Sequence, residues 1–281
     1  MEFFSAVLKY DFLMRAVATG LLASVACGIV GTYVVTRRIT YIAGGIAHCV
    51  LGGMGAARYL QTVHGLGWAH PIYGAVVAAL AAALIIGLVS LRAKEREDTV
   101  IGALWAIGMA VGVLFIHMTP GYNQELMSYL FGNILMVTKS NLWMLAALDA
   151  LIVLAGVLFY NQFLAVCFDS EFALLRGMKT EMFYLLLLCL TALTVVLLIT
   201  VVGIVLVIAL LTLPVAVAGH FSRTLWQMML ISIGLSAIFT IGGLSLSFGP
   251  DLPAGAMTIV LAGGAYLLVL VGKRVFRFRT S

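Results

Sequence analysis

The feature that most constrains this chain is the length of its uncharged apolar runs. From Met182 to Ser222 there is no aspartate, glutamate, lysine or arginine. Only 10% of all residues are charged and 63% are hydrophobic, whereas a soluble domain carries about 25% charged residues. So few charges do not cover a water-facing surface. Because the runs are continuous rather than alternating, they predict an all-α, polytopic helical membrane protein and not a β-barrel.

A bilayer core is crossed by about 20 helical residues, and runs of that length predict about nine spans, that is, eight or nine transmembrane helices. The predicted spans are Phe12–Val35, Tyr41–Leu60, Pro71–Leu91, Val100–Met118, Leu142–Tyr160, Met182–Thr200, Gly203–Gly219, Trp226–Ser247 and Ala254–Gly272. The first residues, MEFFSAVLKYDF, are typical of a short amphipathic segment at the interface. Met127–Val137 is apolar but too short to span, which favours a short outer helix. Residues 1–281 form a single transmembrane domain.

The loops between these spans differ in charge. Basic residues cluster at Arg37 and Arg38, at Arg92–Arg96, around Arg176 and Lys179, at Arg223 and at Lys273–Arg279, whereas the intervening loops hold few lysines or arginines. If each run crosses once, every basic cluster lies on one side, which the positive-inside rule identifies as the cytoplasm. The C-terminus is then cytoplasmic, and the net charge of +5 reflects topology rather than nucleic-acid binding.

The uncharged run from Met182 to Gly219 is too long for one crossing, and both its flanks are basic. Two crossings with a tight break near Gly203 satisfy both facts. Pro214 is expected to interrupt the second of these helices. Broken helices at membrane depth are tolerated only where protein or a water-filled cavity covers the freed backbone, so this region indicates a pathway.

His48 stands within the glycine-rich second run, YIAGGIAHCVLGGMG. An ionisable residue inside a span indicates a functional site, and neutral imidazole is a good ligand for zinc and other late first-row ions. Pathway, packing and regulatory roles remain open for it. Gly44, Gly45 and Gly52 allow another helix to approach closely. Cys49 points about 100° away on a helix and is interpreted as a small buried hydrophobe.

Other ionisable residues are weaker candidates. His220, at the inner end of the predicted proline-interrupted helix, and Asp251, at the outer mouth, are predicted metal ligands, although a helix-dipole role and a solvated loop acid are the simpler interpretations. Asp149 lies in mid-span and requires a partner. A loose outer vestibule that attracts cations is a further possibility, formed by Glu125, His64, His70 and His117. The four cysteines show no metal-binding spacing and are interpreted as free thiols.

The longest polar stretch on the basic side, residues 167–181, predicts a short amphipathic helix. Asp169 is a good N-cap, Phe172, Leu175 and Met178 recur at three-residue spacing, and Gly177 is suited to end the helix. A short helix parallel to the membrane is either an ordinary capped loop or a docking surface for a soluble partner.

This stretch, FDSEFALLRGM, resembles the cytoplasmic coupling segment of the metal-ion permease family of ATP-binding-cassette (ABC) importers, which has an acid, a small residue and a glycine where this chain has Asp169, Ala173 and Gly177. Four more strings resemble the same family in the same order. They are EDTVIG from Glu97, YLFGNIL from Tyr129, LLTLPVAVA from Leu210 and DLPAGA from Asp251. Where the family commonly has Gly-Asp, two residues and then Ser-His, this chain keeps His48 but has Gly45 for the acid and Ala47 for the serine.

The resemblance implies a cobalamin-importer-like, type II ABC importer permease in a bacterial cytoplasmic membrane. Its implied partners are a second copy of itself, a cytoplasmic ABC ATPase dimer and an extracytoplasmic metal-binding protein. The residues implied in ATPase coupling are Asp169, Phe172, Ala173, Arg176 and Gly177. The cargo is a divalent metal, with zinc expected first because histidine is the ligand that remains near residue 48, and with manganese and iron(II) as alternatives.

The sequence contains no P-loop of the form GxxxxGK[ST] and no recognisable enzyme motif, so we expect ATP hydrolysis in a separate subunit and no cofactor in this chain. Two other classes remain as alternatives. A secondary transporter or channel would need no ATPase and is expected to show inverted repeats and acids at the midplane. A membrane scaffold would transport nothing.

Overall fold

The computed structural model describes residues 2–92, 97–120, 132, 134–250 and 252–278. These residues form helices and loops, with no strand among them. The all-helical fold class predicted from the apolar runs is therefore confirmed.

Twelve α-helices follow one another along the described chain. They are α1 (Glu2–Lys9), α2 (Asp11–Thr36), α3 (Thr40–Thr62), α4 (Pro71–Arg92), α5 (Glu97–Met118), α6 (Lys139–Leu158), α7 (Tyr160–Phe168), α8 (Ser170–Leu175), α9 (Thr180–Val202), α10 (Ile204–Ala218), α11 (Leu225–Phe248) and α12 (Ala254–Phe278). A 3₁₀ turn, Ile134–Met136, precedes α6. The predicted amphipathic segment at the start is α1, in which Phe3 is buried and contacts the ring of Phe248.

Seven helices of the described chain are long and apolar enough to cross a membrane, namely α2, α4, α5, α6, α9, α11 and α12. Two predicted spans fall outside this set. Helix α3 has 23 residues, but its glycines and polar side chains lower its hydropathy. Helix α10 has 15 residues, or about 22 Å, which is shorter than the ~30 Å hydrocarbon core. A count of nine crossings therefore stays a prediction.

The helices form two groups around two central members. Helix α3 packs between α4 and α5, and α2 packs against α6, α10 and α11, with α12 on the outer side of α10 and α11. Helix α9 contacts α4 and α3 on one side and α2 and α6 on the other. Since α3 and α2 bury much of their length, each places its polar side chains inside the bundle rather than against lipid.

The break in the long uncharged run is at Gly203, as predicted. Helix α9 ends at Val202 and α10 begins at Ile204, and Gly203 has a φ of +84°, a conformation that favours glycine. The backbone of Gly132, from the predicted outer helix, packs directly against Val202 and Gly203. Most of that predicted helix, with Glu125 and Asp251, lies outside the described residues.

Pro214 does not interrupt α10, and this expectation was wrong. The helix is continuous from Ile204 to Ala218 with Pro214 inside it. Proline removes the backbone donor that would bond the carbonyl oxygen of Leu210, but Pro214 is buried within the bundle, and the packing of neighbouring helices keeps the helix continuous. The discontinuity of the pair therefore comes from a glycine and not from the proline.

Candidate functional site

His48 lies in the first half of α3 and is 9% exposed. Its ring stacks on the indole of Trp105 in α5, with centroids 4.2 Å apart and planes inclined by 16°. The imidazole Nδ1 is buried and has no hydrogen-bond partner within the described part of the chain. Stacking uses the face of the ring and leaves Nδ1, in the ring plane, without a partner there.

Glycines bring α3 close to both of its neighbours. A Cβ at Gly52 would lie 2.9 Å from the carbonyl oxygen of Gly108 in α5, and one at Gly45 would lie 2.9 Å from the side chain of Ile101. On the other side, Gly53 and Gly74 of α4 meet backbone to backbone. The close approach predicted from these glycines is found, and it holds His48 at a tightly packed helix interface.

Gly44 and Gly45 play different parts beside His48. Residues four apart share a helix face, so Gly44 is on the His48 side, where a Cβ would lie 3.3 Å from the Trp105 ring. Gly45 faces Ile101 instead. An acid at position 44, rather than at position 45, would therefore lie on the same helix face as His48. Cys49 donates from Sγ to the carbonyl oxygen of Leu104 at 3.3 Å, which agrees with a packed thiol.

His220 lies just after α10 and contacts the C-terminal helix. The ammonium of Lys273 is 3.1 Å from its Nδ1 and also lies 3.5 Å from its carbonyl oxygen. A lysine at this distance competes with a metal ion for the same lone pair. A ligand role for His220 stays a prediction, as it does for Asp251.

Asp149 lies inside the α2 group, 7% exposed. It faces α2 beside the Ala26 backbone and the Cys27 thiol, and its Oδ2 has no hydrogen-bond partner in the described ranges. The partner predicted for Asp149 is therefore not found among the cations of the described helices. Of the outer histidines, His64 contacts Tyr59 and His70 contacts Tyr73, and the outer vestibule stays a prediction.

Residues 167–181 contain the predicted capped helix, but it is short. Helix α8 is six residues long, and Oδ1 of Asp169 accepts a hydrogen bond from the Phe172 amide at 2.9 Å. After it, the amide of Gly177 donates to Leu174 and the amide of Met178 to Ala173, while Gly177 takes a φ of +80°. This is how a glycine ends a helix, so Met178 lies beyond the helix rather than on its face.

Helix α8 exposes several large apolar side chains. They are Phe172, Leu174 and Leu175, the last 86% exposed, with Phe168 at the end of the preceding helix, while Glu171 in the first turn is exposed as well. The guanidinium of Arg176 lies 4.8 Å from the centre of the Phe172 ring, whereas Ala173 is buried at 3% exposure. We call Phe168, Phe172, Leu174 and Leu175 the α8 patch.

The thiol next to the α8 patch is not reactive. Burial raises the pKa of the Cys167 thiol to about 12, an effect that the Arg37 guanidinium partly offsets. Cys167 therefore stays protonated at neutral pH and is a poor ligand.

The four cysteines are free, and the described residues contain no group of three or more histidine, cysteine, aspartate or glutamate side chains that could hold a metal ion.

Two contacts were missed from the sequence alone. Trp105 has no motif that links it to His48, since the two residues are 57 positions apart and meet only because α3 and α5 pack closely. Lys273 was counted among the basic residues that set topology, although it also contacts His220. The one available signal for the first contact was that Trp105 is the single tryptophan of the predicted span Val100–Met118.

Comparison with known proteins identifies the fold. Residues 9–273 match the ABC 3 transport family. The chain belongs to that family. The family resemblance predicted from the coupling segment and from the four other sequence strings is therefore confirmed.

Relatives of this ABC 3 transport family member cover nearly all of it. A probable metal transport system membrane protein from Chlamydia trachomatis is 42% identical over 92% of this chain and 88% of its own length. The manganese transport system membrane protein MntC of Halalkalibacterium halodurans is 31% identical over 95% of this chain and 89% of its own length.

A solved structure has the same architecture as this ABC 3 transport family member. PsaBC from Streptococcus pneumoniae, in complex with Fab, matches with a TM-score of 0.83 and 28% identity, over 95% of this chain and 94% of that one. The likeness extends over both helix groups and is not confined to one motif.

Proposed function

We propose that this chain is the membrane-spanning permease subunit of an ABC importer for a divalent metal ion, with zinc as the first candidate and manganese or iron(II) as alternatives. The observation that carries the proposal is the α8 patch, an open apolar surface on a rigid, capped helix at the basic end of the molecule. Relatives named for metal transport support the cargo class.

The α8 patch is the proposed contact with a cytoplasmic ATPase. Phe172, Leu174 and Leu175 present apolar anchors, and Arg176 extends a cation beside them. Asp169 and Gly177 fix the two ends of the helix, and Ala173 seats it against the bundle. A helix fixed at both ends transmits a push from a partner to α9, which starts at Thr180.

His48 is the proposed waypoint for the ion inside the membrane. Its free Nδ1 supplies a nitrogen ligand, and histidine suits zinc better than it suits manganese. A conduit with few ligands releases its ion rather than retaining it. His220 and Asp251 are weaker proposed contacts nearer the two mouths.

The proposed assembly contains two copies of this chain, an ATPase dimer and an extracytoplasmic metal-binding protein, in a bacterial cytoplasmic membrane with the C-terminus inside. Helices α5 and α12 bury little of their apolar surface within one copy, which leaves faces for a second copy or for lipid. This chain itself hydrolyses no ATP in the proposed scheme.

The docking test replaces one exposed residue of the α8 patch. Leu175→Asp is expected to abolish capture of the cognate ATPase and ATP-dependent uptake, because it places a charge in an apolar contact, while the thermal unfolding temperature stays unchanged. Met136→Asp is the control, since Met136 is 76% exposed in the 3₁₀ turn before α6 and lies outside the α8 patch. Gly177→Trp is a poorer test because its φ of +80° strains any side chain.

The cargo test uses vesicles that contain the permease and its ATPase, with zinc, manganese and iron(II) supplied in turn. ATP-dependent zinc uptake that falls in His48→Ala supports the proposal. Uptake that proceeds equally without the ATPase would instead favour a secondary transporter, and no uptake of any metal would contradict the assigned cargo.

A further inference from the structure

The indole of Trp105 occupies a slot on the surface of α3. On one side it stacks on His48 at 4.2 Å, and on the other it lies 5.8 Å from the ring of Tyr41 at an angle of 44°. Between the two, the edge of the indole passes over Gly44, where a Cβ would lie 3.3 Å from Cζ3.

The slot depends on the missing side chain at residue 44. Tyr41, Gly44 and His48 fall at spacings of three and four, so they share one face of α3. Any side chain longer than a methyl group at position 44 would extend into the volume that the indole fills. The indole and a carboxylate from position 44 are thus alternative occupants of the same space beside His48.

We propose that Trp105 determines which ions pass His48, an inference that rests on the proposed transport function. The indole fills the position from which an oxygen ligand would reach an ion at His48. It also holds the imidazole plane by stacking, with Nδ1 unpartnered among the described residues. Among the described residues, the site therefore offers one nitrogen and an aromatic face, and no carboxylate.

The ligand preferences of the two ions predict which of them this arrangement favours. Manganese(II) favours carboxylate, carbonyl and water oxygen ligands, whereas imidazole suits zinc and other late first-row ions. An apolar ring beside the imidazole also removes room for the waters that a hard ion retains. Trp105 thus selects ions that accept a nitrogen ligand and shed water, and it disfavours manganese.

The test measures selectivity rather than amount, because a ratio does not depend on how much protein folds. Zinc and manganese compete for the purified full-length permease, and the ratio of their dissociation constants is compared across variants. Trp105→Ala is expected to shift the ratio about threefold toward manganese, and Gly44→Asp with Trp105→Ala about tenfold, because an oxygen ligand replaces the indole.

Two further variants separate this role from simple packing. Trp105→Phe keeps a ring against His48 and should retain the wild-type ratio within about twofold. Ile107→Ala is the control, since Ile107 lies on the same helix with 58% exposure, and it should change nothing. Gly44→Asp alone should lower the unfolding temperature, because the indole and the carboxylate then compete for one slot.

The binding ratio tests the role of Trp105, and the uptake measurement tests the proposed transport function, so each proposal can be contradicted without the other. A shifted binding ratio in Trp105→Ala and in the double variant supports the proposal even if vesicles take up no metal, a result that would contradict the proposed function instead. Identical zinc-to-manganese ratios in wild type, Trp105→Ala and the double variant would overturn the proposal, whether or not uptake occurs.

Discussion

The two central helices, α3 and α2, pack in the same way but have different buried ionisable groups beside them. Each must carry polar groups inside a membrane bundle and pack tightly against its neighbours. Helix α3 does so with glycines that meet backbone on both sides, at Gly53 toward α4 and at Gly52 toward α5. Helix α2 also meets backbone on two sides, at Gly28 toward α11 and at Gly31 toward α10.

The buried ionisable side chains of the two helix groups differ in what they contact. His48 on the α3 side is stacked on Trp105 and keeps one free nitrogen. Asp149 on the α2 side has an oxygen without a hydrogen-bond partner and no ring stacked on it in the described chain. Both side chains therefore have a buried polar atom without a hydrogen-bond partner among the described residues, but only His48 is positioned by a ring stack.

The largest effect is expected where α3 and α4 touch. Gly53→Leu places a side chain on the carbonyl oxygen of Gly74 and should lower the free energy of unfolding by about 3 kcal/mol. Thermal unfolding in detergent measures it. Gly234→Leu is the control, because a Cβ there meets nothing within 4 Å. Equal losses in both variants would show that the close approach is not what stabilises this group.

His48→Ala should reduce ATP-dependent metal uptake at least about tenfold, which corresponds to losing one good ligand, while stability falls by only about 1 kcal/mol through the lost ring stack. Uptake and unfolding temperature are measured on the same preparation. Ile107→Ala is the control, since Ile107 is 58% exposed and has no proposed role in binding the ion. Unchanged uptake in His48→Ala would remove His48 from the pathway.

Asp149→Leu should leave the fold intact and raise the free energy of unfolding by about 1 kcal/mol. The reason is that an apolar side chain of similar size replaces a buried carboxyl group that lacks a full set of partners. Asp149→Asn should change stability less. A marked loss of stability in Asp149→Leu would indicate that the assembled transporter supplies a partner to this group.

The smallest effect compares two fully buried serines of the α2 group. The hydroxyl of Ser24 donates to the Gly20 carbonyl oxygen at 2.6 Å, whereas that of Ser236 has no partner in the described part of the chain. Ser24→Ala should cost about 1 kcal/mol, and Ser236→Ala about zero. If the order is reversed, the hydroxyl of Ser236 is satisfied in the membrane.

Much of the fold follows from patterns local to the sequence. The apolar runs predicted every long helix, and Asp169 and Gly177 predicted where α8 begins and where it must stop. Gly203 predicted the break within the longest run. The error at Pro214 has a physical cause, because proline's local effect was overridden by the packing of α10 among its neighbours.

The site was predicted only in part. His48 was found because an imidazole inside an apolar run is unusual, and the glycines near it indicated a close neighbour. The identity of that neighbour, Trp105, and the role of Gly44 in admitting its indole did not follow from the sequence, since nothing local relates residue 44 to residue 105.

The sequence by itself determined that this is a helical membrane protein, where its helices run, and that α8 is capped by Asp169 and ended by Gly177. Hydrophobicity, capping and glycine conformations are properties of neighbouring residues. Only the tertiary structure decided that His48 stacks on Trp105, that Asp149 faces α2 without a full set of partners and that Pro214 leaves its helix continuous. Those outcomes depend on contacts between residues that are far apart in the sequence, and close packing between helices decides which of these residues meet.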